Sequence, residues 1–193
     1  MTPAVTSTAT QHRDALAVLS RWSPPTAAQA ALRQQYVEHL QARPDGTSRG
    51  CSPAHLTCGA LVLDRTGDRV LLTLHAKARR WFHLGGHLEP EDLGLAAAAF
   101  REAAEESGMA GLDLDPVPLQ LDAHVVSFCG GVPRTRHLDV RFLAVAPSEA
   151  DVAVSEESLD VAWWPVAALP TDERSLHELV DLARARLAVR VQA

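Results

Sequence analysis

Three features common in other proteins are missing from this chain of 193 residues. No apolar run approaches the roughly 20 residues that a membrane-spanning helix needs. The first ten residues lack the basic start and the apolar centre of a signal peptide. The chain also lacks internal repeats and low-complexity tracts. We therefore expect a cytoplasmic protein that makes no membrane contact.

Cysteine is scarce as well. The chain has three cysteines, Cys51, Cys58 and Cys129, and no C-x-x-C pair. An odd number without paired spacing is poorly suited to a disulfide framework or a structural zinc site. We expect reduced thiols that behave as small buried apolar groups. Of the nine histidines, none has a convincing metal-ligand spacing to another, and we expect His55 and His75 to be structural strand residues.

An excess of basic residues is absent too. The formal net charge is −6, whereas a broad nucleic-acid-binding face needs a positively charged surface. We therefore expect no nucleic-acid partner. Six acids and one arginine between Glu89 and Glu106 account for five of the six negative charges, so the rest of the chain is nearly neutral. A local site for one nucleotide stays compatible with this distribution.

The apolar pattern predicts a helical extension over residues 1–50 and an α/β domain over residues 51–193. Apolar residues make up 47% of the chain and charged residues 22%, an ordinary mixture for a globular core. Thr26 with Gln29 forms a capping-box pattern, and Gly108 suits a helix C-terminus. The predicted helices span 14–20, 27–43, 95–107 and 172–189, and the predicted strands span 55–64, 70–75, 117–127, 137–146 and 160–166.

The segment Arg101–Met109, REAAEESGM, carries the strongest chemical signal. On a helix Glu102, Glu105 and Glu106 share one face, where like charges repel. The dipole also disfavours anions in the last turn. Three clustered carboxylates without a neighbouring thiol suit a hard cation, Mg²⁺ or Mn²⁺. The alternative is a solvated acidic face, the usual explanation of a charge run.

The segment from Gly86 to Asp92, GHLEPED, together with REAAEESGM after eight further residues, resembles the Nudix box. The family pattern is G-x5-E-x7-R-E-U-x-E-E-x-G-U, with U an aliphatic residue. This chain departs from it in two ways, since Asp92 replaces a glutamate and the spacer is one residue longer. The resemblance implies an αβα sandwich with a mixed β-sheet, here with an N-terminal helical extension.

The same resemblance implies Mg²⁺-dependent hydrolysis of the diphosphate bond in a nucleoside diphosphate linked to another moiety. It implies that Glu102, Glu105 and Glu106 hold Mg²⁺ or Mn²⁺, and that Arg101 orients them. A loop carbonyl of Gly85 or Gly86 is expected to complete the coordination. The catalytic set is then Arg101 with the three glutamates.

Several roles have competing interpretations. Asp92 is an outer metal ligand or, as we prefer, the N-cap of the box helix. The general base is a box glutamate such as Glu105, or a distant carboxylate. The distant candidates are Glu156, Glu157 and Asp139, for which the alternative is a surface or strand position without a role.

The substrate contacts predicted from the sequence are polar residues. They lie close to the box in the chain, or on a later strand or loop. They are Lys77, Arg79, His87, Asp139 and Glu157. For the basic loop that carries Lys77 and Arg79, the alternative is a solvated loop without substrate contact. His137, Asp139 and Arg141 share one strand face, which is either solvated or lines a cleft.

Two other functions fit the same fold. An isoprenyl-diphosphate isomerase needs a catalytic cysteine in a characteristic upstream segment, which we do not find around Cys51 or Cys58. A non-catalytic nucleotide sensor would carry an appended winged helix, whereas only one helix follows Leu169. The N-terminal helices are candidates for a homodimer interface or for a cover over the site.

Overall fold

The computed structural model describes residues 7–127, 129, 134–147 and 158–192. Within these residues no helix combines the length and the apolar character required to cross a membrane. The elements, in chain order, are α1 (Ser7–Arg21), α2 (Ala27–Ala42), β1 (Ala54–Leu63), β2 (Arg69–His75), β3 (Trp81–Phe82), β4 (Leu84–His87), α3 (Leu95–Ser107), β5 (Asp113–Val126), β6 (Thr135–Val145), β7 (Ser158–Pro165) and α4 (Arg174–Gln192).

One seven-stranded sheet forms the centre of the domain. Its main path runs β3-β2-β1-β6-β5, with β4 also pairing β1 and β7 also pairing β2. Strands β1 and β6 are parallel, whereas the other pairs are antiparallel. The predicted mixed sheet and the predicted hairpin of β1 and β2 are both confirmed.

Helices cover both faces of this sheet. Successive residues of a strand point to opposite faces, and in β1 Leu56 and Cys58 pack with α3 while Leu61 and Leu63 pack with α4. All four are fully or almost fully buried. The αβα sandwich predicted from the sequence is therefore confirmed.

Helix α3 spans the predicted residues, 95–107. Its small residues Ala98, Ala99 and Ala103 are fully buried and allow close packing on the sheet. Gly108 ends the helix in the left-handed region with φ 69°, and its N–H donates to the Ala104 carbonyl. Glycine enters this region without the steric cost of a Cβ, which is why it ends helices so often.

The two N-terminal helices share the hydrophobic core of the α3 face. Ala15 and Leu19 of α1 and Tyr36 and Leu40 of α2 are fully buried there. Helix α1 begins at Ser7, so the predicted start at residue 14 is wrong. The added turns make tertiary contacts, since the Gln11 side chain donates to the carbonyls of Glu89 and Asp92. The division at residue 50 and the homodimer stay predictions.

Two local predictions need correction. Thr26 caps α2, since its Oγ1 accepts from the Gln29 N–H at 3.2 Å, but the Gln29 side chain bonds the backbone of Leu121 in β5. Strand β5 also begins earlier than predicted, at Asp113. Its pairing with β6 is irregular around Pro116 and Pro118, which lack the N–H that a regular ladder needs.

Candidate active site

The C-terminal half of α3 presents its carboxylates to strand β4. The Gly85 N–H donates to Glu106 Oε2 at 2.8 Å. A Cβ at Gly86 would lie 2.6 Å from Glu102 Oε1, so a larger residue here would displace this carboxylate from its position. Both glycines belong to a strand paired with β1, which corrects the expectation that they lie in a loop.

Arg101 is the centre of an ion-pair network. Its guanidinium binds both carboxylate oxygens of Asp92, at 3.1 and 2.9 Å. It also donates to Glu102 Oε1 at 3.1 Å, to Glu105 Oε2 at 3.0 Å and to the His87 carbonyl at 2.9 Å. Burial alone would lower the pKa of Arg101, but the Asp92 and Glu102 carboxylates raise it above its ordinary value. The arginine therefore stays charged and offsets part of the repulsion among the acids.

These groups open onto one cleft of about 260 Å³. The lining residues are Arg49, Gly86, His87, Glu89, Arg101, Glu102, Glu105 and Glu106. The side chain of Glu105 is 61% exposed, whereas that of Glu102 is 16% exposed. Thus the cleft combines anchored carboxylates with one that reaches solvent. Arg49 was missed by the sequence reasoning, because it lies in the segment between α2 and β1, far from the box in the chain.

The sequence matches the family profile described as NUDIX domain over residues 53–182. The chain belongs to the Nudix family. It is therefore a pyrophosphohydrolase enzyme of this family. No curated protein matches the sequence.

Solved structures share the fold of this Nudix enzyme. A C. elegans Ap4A hydrolase in a binary complex has a TM-score of 0.56 at 20% identity, over 69% of this chain and 98% of the other. The E. coli dihydroneopterin triphosphate pyrophosphohydrolase has a TM-score of 0.53 at 19% identity, over 68% of this chain and 95% of the other. The NUDIX domain of Shewanella oneidensis NrtR, complexed with ADP ribose, has a TM-score of 0.50 at 21% identity, over 68% of this chain and 87% of the other. At these identities the likeness extends to the fold alone.

Asp92 does not cap the box helix, so that prediction is wrong. Gly94 occupies the N-cap position and offers no side chain. The acceptor comes instead from α1, where Asp14 Oδ2 receives the Leu95 N–H at 2.8 Å. Asp92 accepts from the Glu89 N–H at 2.7 Å and holds Arg101. No sequence signal points to Asp14, since it lies 81 positions from its partner.

The predicted substrate contacts lie in different places. Lys77 and Arg79 are exposed in the segment between β2 and β3, and neither is among the residues that line the described cleft. His87 lines the cleft, and burial, with the nearby His137 and Arg49, lowers its pKa to about 3. Its imidazole is therefore neutral at pH 7. Glu157, like Glu156, lies outside the described residues.

Asp139 lies in the interior and not on an open surface. It accepts from Thr57 Oγ1 at 3.0 Å and from Arg141 Nε at 2.8 Å, and its Oδ2 lies 3.2 Å from His83 Nε2. Burial would raise the pKa of Asp139, but His83 and Arg141 hold it far below its ordinary value. Arg141 also contacts Asp122, at 3.2 Å. Asp139 and Arg141 are thus buried in an ion-pair network, so the solvated alternative is wrong for these two residues.

Proposed function

We propose that this enzyme hydrolyses the diphosphate bond of a nucleoside diphosphate linked to another moiety, with Mg²⁺ at Glu102, Glu105 and Glu106. The observation that carries the proposal is the convergence of three box carboxylates and Gly86 on one cleft. Relatives of the same fold support the substrate class. Their names refer to Ap4A, ADP ribose and dihydroneopterin triphosphate, which all contain linked phosphates.

The donor set fits a hard divalent cation. All three side chains offer carboxylate oxygens, the ligands that Mg²⁺ prefers. Glu102 lies in the space that the missing Cβ of Gly86 leaves, and Glu106 is fixed by the Gly85 N–H. A backbone carbonyl of Gly85 or Gly86 is the proposed additional ligand. When bound, the metal lowers the pKa of a coordinated water and stabilises charge on the leaving phosphate.

The protein residues divide the remaining work. Arg101 holds Glu102 and Glu105 in place, and Asp92 fixes Arg101 from behind by two hydrogen bonds. Glu105 is our proposed general base, because its carboxylate lines the cleft and is exposed there. Arg49 is our proposed phosphate contact, since a guanidinium binds phosphate oxygens through charge-assisted hydrogen bonds. We thus assign to Arg49 the phosphate contact that the sequence predicted for Lys77 and Arg79.

Neither alternative function gains a supporting observation. An isomerase of this fold would need an upstream thiol at the site, but Cys51 is 1% and Cys58 0% exposed. Cys58 packs in the core between the sheet and α3. A sensor without catalysis would have no need for a carboxylate set anchored by an arginine and two glycines.

The proposal is tested with a panel of nucleoside diphosphate derivatives and Mg²⁺, by measuring the released phosphorylated products. We expect Glu106→Gln to lower kcat by more than about 100-fold, because even outer partners of metal ligands are worth 10–100-fold. Circular dichroism should show an unchanged fold. Glu91→Gln is the matched control, since Glu91 is exposed and is not among the cleft residues. Full activity of Glu106→Gln would contradict the proposal.

Arg49 is tested with the same substrates. Arg49→Gln should raise KM by about 10-fold or more with a smaller effect on kcat, since a charge-assisted hydrogen bond contributes roughly 1.5–3 kcal/mol. Lys77→Gln is the comparison. An effect confined to Lys77→Gln would return the phosphate contact to the loop predicted from the sequence.

A further inference from the structure

A second group of metal-binding side chains lies beside the carboxylate site. His55 of β1, His87 of β4, His137 of β6 and Cys129 each bring one ligand atom to a common point, and these four atoms lie within 4.8 Å of one another. We propose that this group, the His₃Cys cluster, holds a Zn²⁺ ion that is distinct from the metal of the hydrolytic site.

The interatomic distances match tetrahedral zinc. His55 Nε2 and His87 Nε2 are 3.1 Å apart, and Cys129 Sγ lies 3.3 Å from His87 Nε2 and 3.6 Å from His55 Nε2. Tetrahedral zinc with bonds of about 2.05 Å to nitrogen and about 2.3 Å to sulfur places two nitrogens about 3.3 Å apart and a nitrogen and a sulfur about 3.6 Å apart. Three of the four donors are therefore already spaced as a zinc ion requires.

Two hydrogen-bonding observations point the imidazoles at a ligand. His55 Nδ1 lies 3.0 Å from the Cys51 carbonyl, so a proton on Nδ1 donates there and leaves the Nε2 lone pair facing the cluster. A histidine that binds a metal through one nitrogen usually donates from the other in this way. His137 Nε2 is buried and has no hydrogen-bond partner among the described residues. Coordination through that nitrogen would satisfy it.

The imidazoles of His55 and His137 lie on the face of the sheet opposite to Glu102, whereas His87 of the cluster also lines the carboxylate cleft. His55 is an even number of positions from Leu61, which packs against α4, and His137 bears the same relation to Leu143. Alternation therefore places these imidazoles on the α4 face. Glu102 approaches Gly86 from α3, on the other face.

The donor types select the metal. Three imidazoles and a thiolate suit Zn²⁺, whereas Mg²⁺ takes oxygen ligands. Four protein donors also complete a tetrahedral shell, which is typical of a structural site. The cluster would join β1, β4 and β6, and the His87 carbonyl in β4 accepts from Arg101 at 2.9 Å. Zinc would thus stabilise the strand that carries Gly85 and Gly86.

The metal content of the full chain tests this inference. Protein is dialysed against Zn²⁺ and then freed of excess metal. Elemental mass spectrometry should then find one zinc per chain. Co²⁺ in its place should show the charge-transfer band of a cobalt–thiolate bond and the intense visible bands of tetrahedral cobalt. Zinc should raise Tm, because a ligand that binds only the folded state stabilises it.

Variants separate the two metal sites. Cys129→Ser and His137→Gln should lose the bound zinc, and Cys129→Ser should lose the charge-transfer band. Glu106→Gln should retain the bound zinc and the charge-transfer band. His124→Gln is the matched control, since its ring lies 5.6 Å from that of His137 but outside the cluster.

Either of two results would overturn the assignment. Zinc retained by Cys129→Ser and His137→Gln but lost by Glu106→Gln would place the ion on the carboxylates. Wild-type protein that binds Co²⁺ without a thiolate band would exclude Cys129 as a ligand. The second result needs no variant, so it decides the question even where a substitution prevents folding.

Discussion

Helix α1 caps the box helix from a distant part of the chain, and this contact can be tested directly. Asp14 Oδ2 accepts from the Leu95 N–H at 2.8 Å, next to Gly94, which has no side chain to offer. The Asp14 carboxylate also fills the space where a Cβ of Gly94 would be. We expect Asp14→Ala to leave the first turn of α3 without its side-chain acceptor and to lower the stability of the box.

The size of the effect follows from three contributions. Loss of a side-chain cap costs about 1 kcal/mol, and loss of a negative charge at a helix N-terminus costs about 0.3–1 kcal/mol. Alanine within α1 returns about 0.5 kcal/mol, because it is the better helix former. The net loss is about 1 kcal/mol. For a chain of this size, Tm should fall by about 2–4 °C.

Thermal unfolding of the metal-free protein measures this loss, and two further variants isolate its cause. Asp14→Asn keeps an acceptor oxygen and loses only the charge, so it should be less destabilising than Asp14→Ala. Arg13→Ala controls for helix propensity in the same turn, since Arg13 is exposed and bonds the carbonyl of Ala9 in its own helix. If Asp14→Ala unfolds at the same temperature as Arg13→Ala, the capping contact contributes nothing and the reasoning is wrong.

Two further predictions concern the cleft and the buried network. Gly86→Ala should lower activity by about 10-fold or more, because the new Cβ would lie 2.6 Å from Glu102 Oε1 and displace a positioned ligand. Initial rates should be unchanged in Gly50→Ala, where the nearest atom is at 3.6 Å. Burial would raise the pKa of Asp122, but His124 and Arg141 lower it to about 2. Since this folded-state pKa lies below the unfolded value of about 3.9, Asp122 stabilises the fold above about pH 4, and this contribution is lost as the pH falls toward 2. Urea unfolding between pH 7 and pH 3 should show a smaller acid-induced loss in Asp122→Asn; an equal loss in both proteins would contradict the assignment.

Elements with local signals could be placed from the amino-acid sequence. Apolar spacing and Gly108 placed α3 at its observed residues, and the turn between two β-prone runs placed the hairpin of β1 and β2. The face shared by Glu102, Glu105 and Glu106 follows from helix geometry, which depends on spacing alone. The box motif could therefore be recognised before any fold was known.

Contacts between distant segments needed the tertiary structure. The Asp14 cap joins residues 81 positions apart, and Arg49 reaches the cleft from outside the box. Alternation along β6 predicted that Asp139 and Arg141 share a face, but only packing decides whether that face is covered. The His₃Cys cluster draws its histidines from three strands, and sheet pairing alone brings them together. Sequence spacing encodes geometry within one element, whereas the strand order of the sheet decides which elements become neighbours.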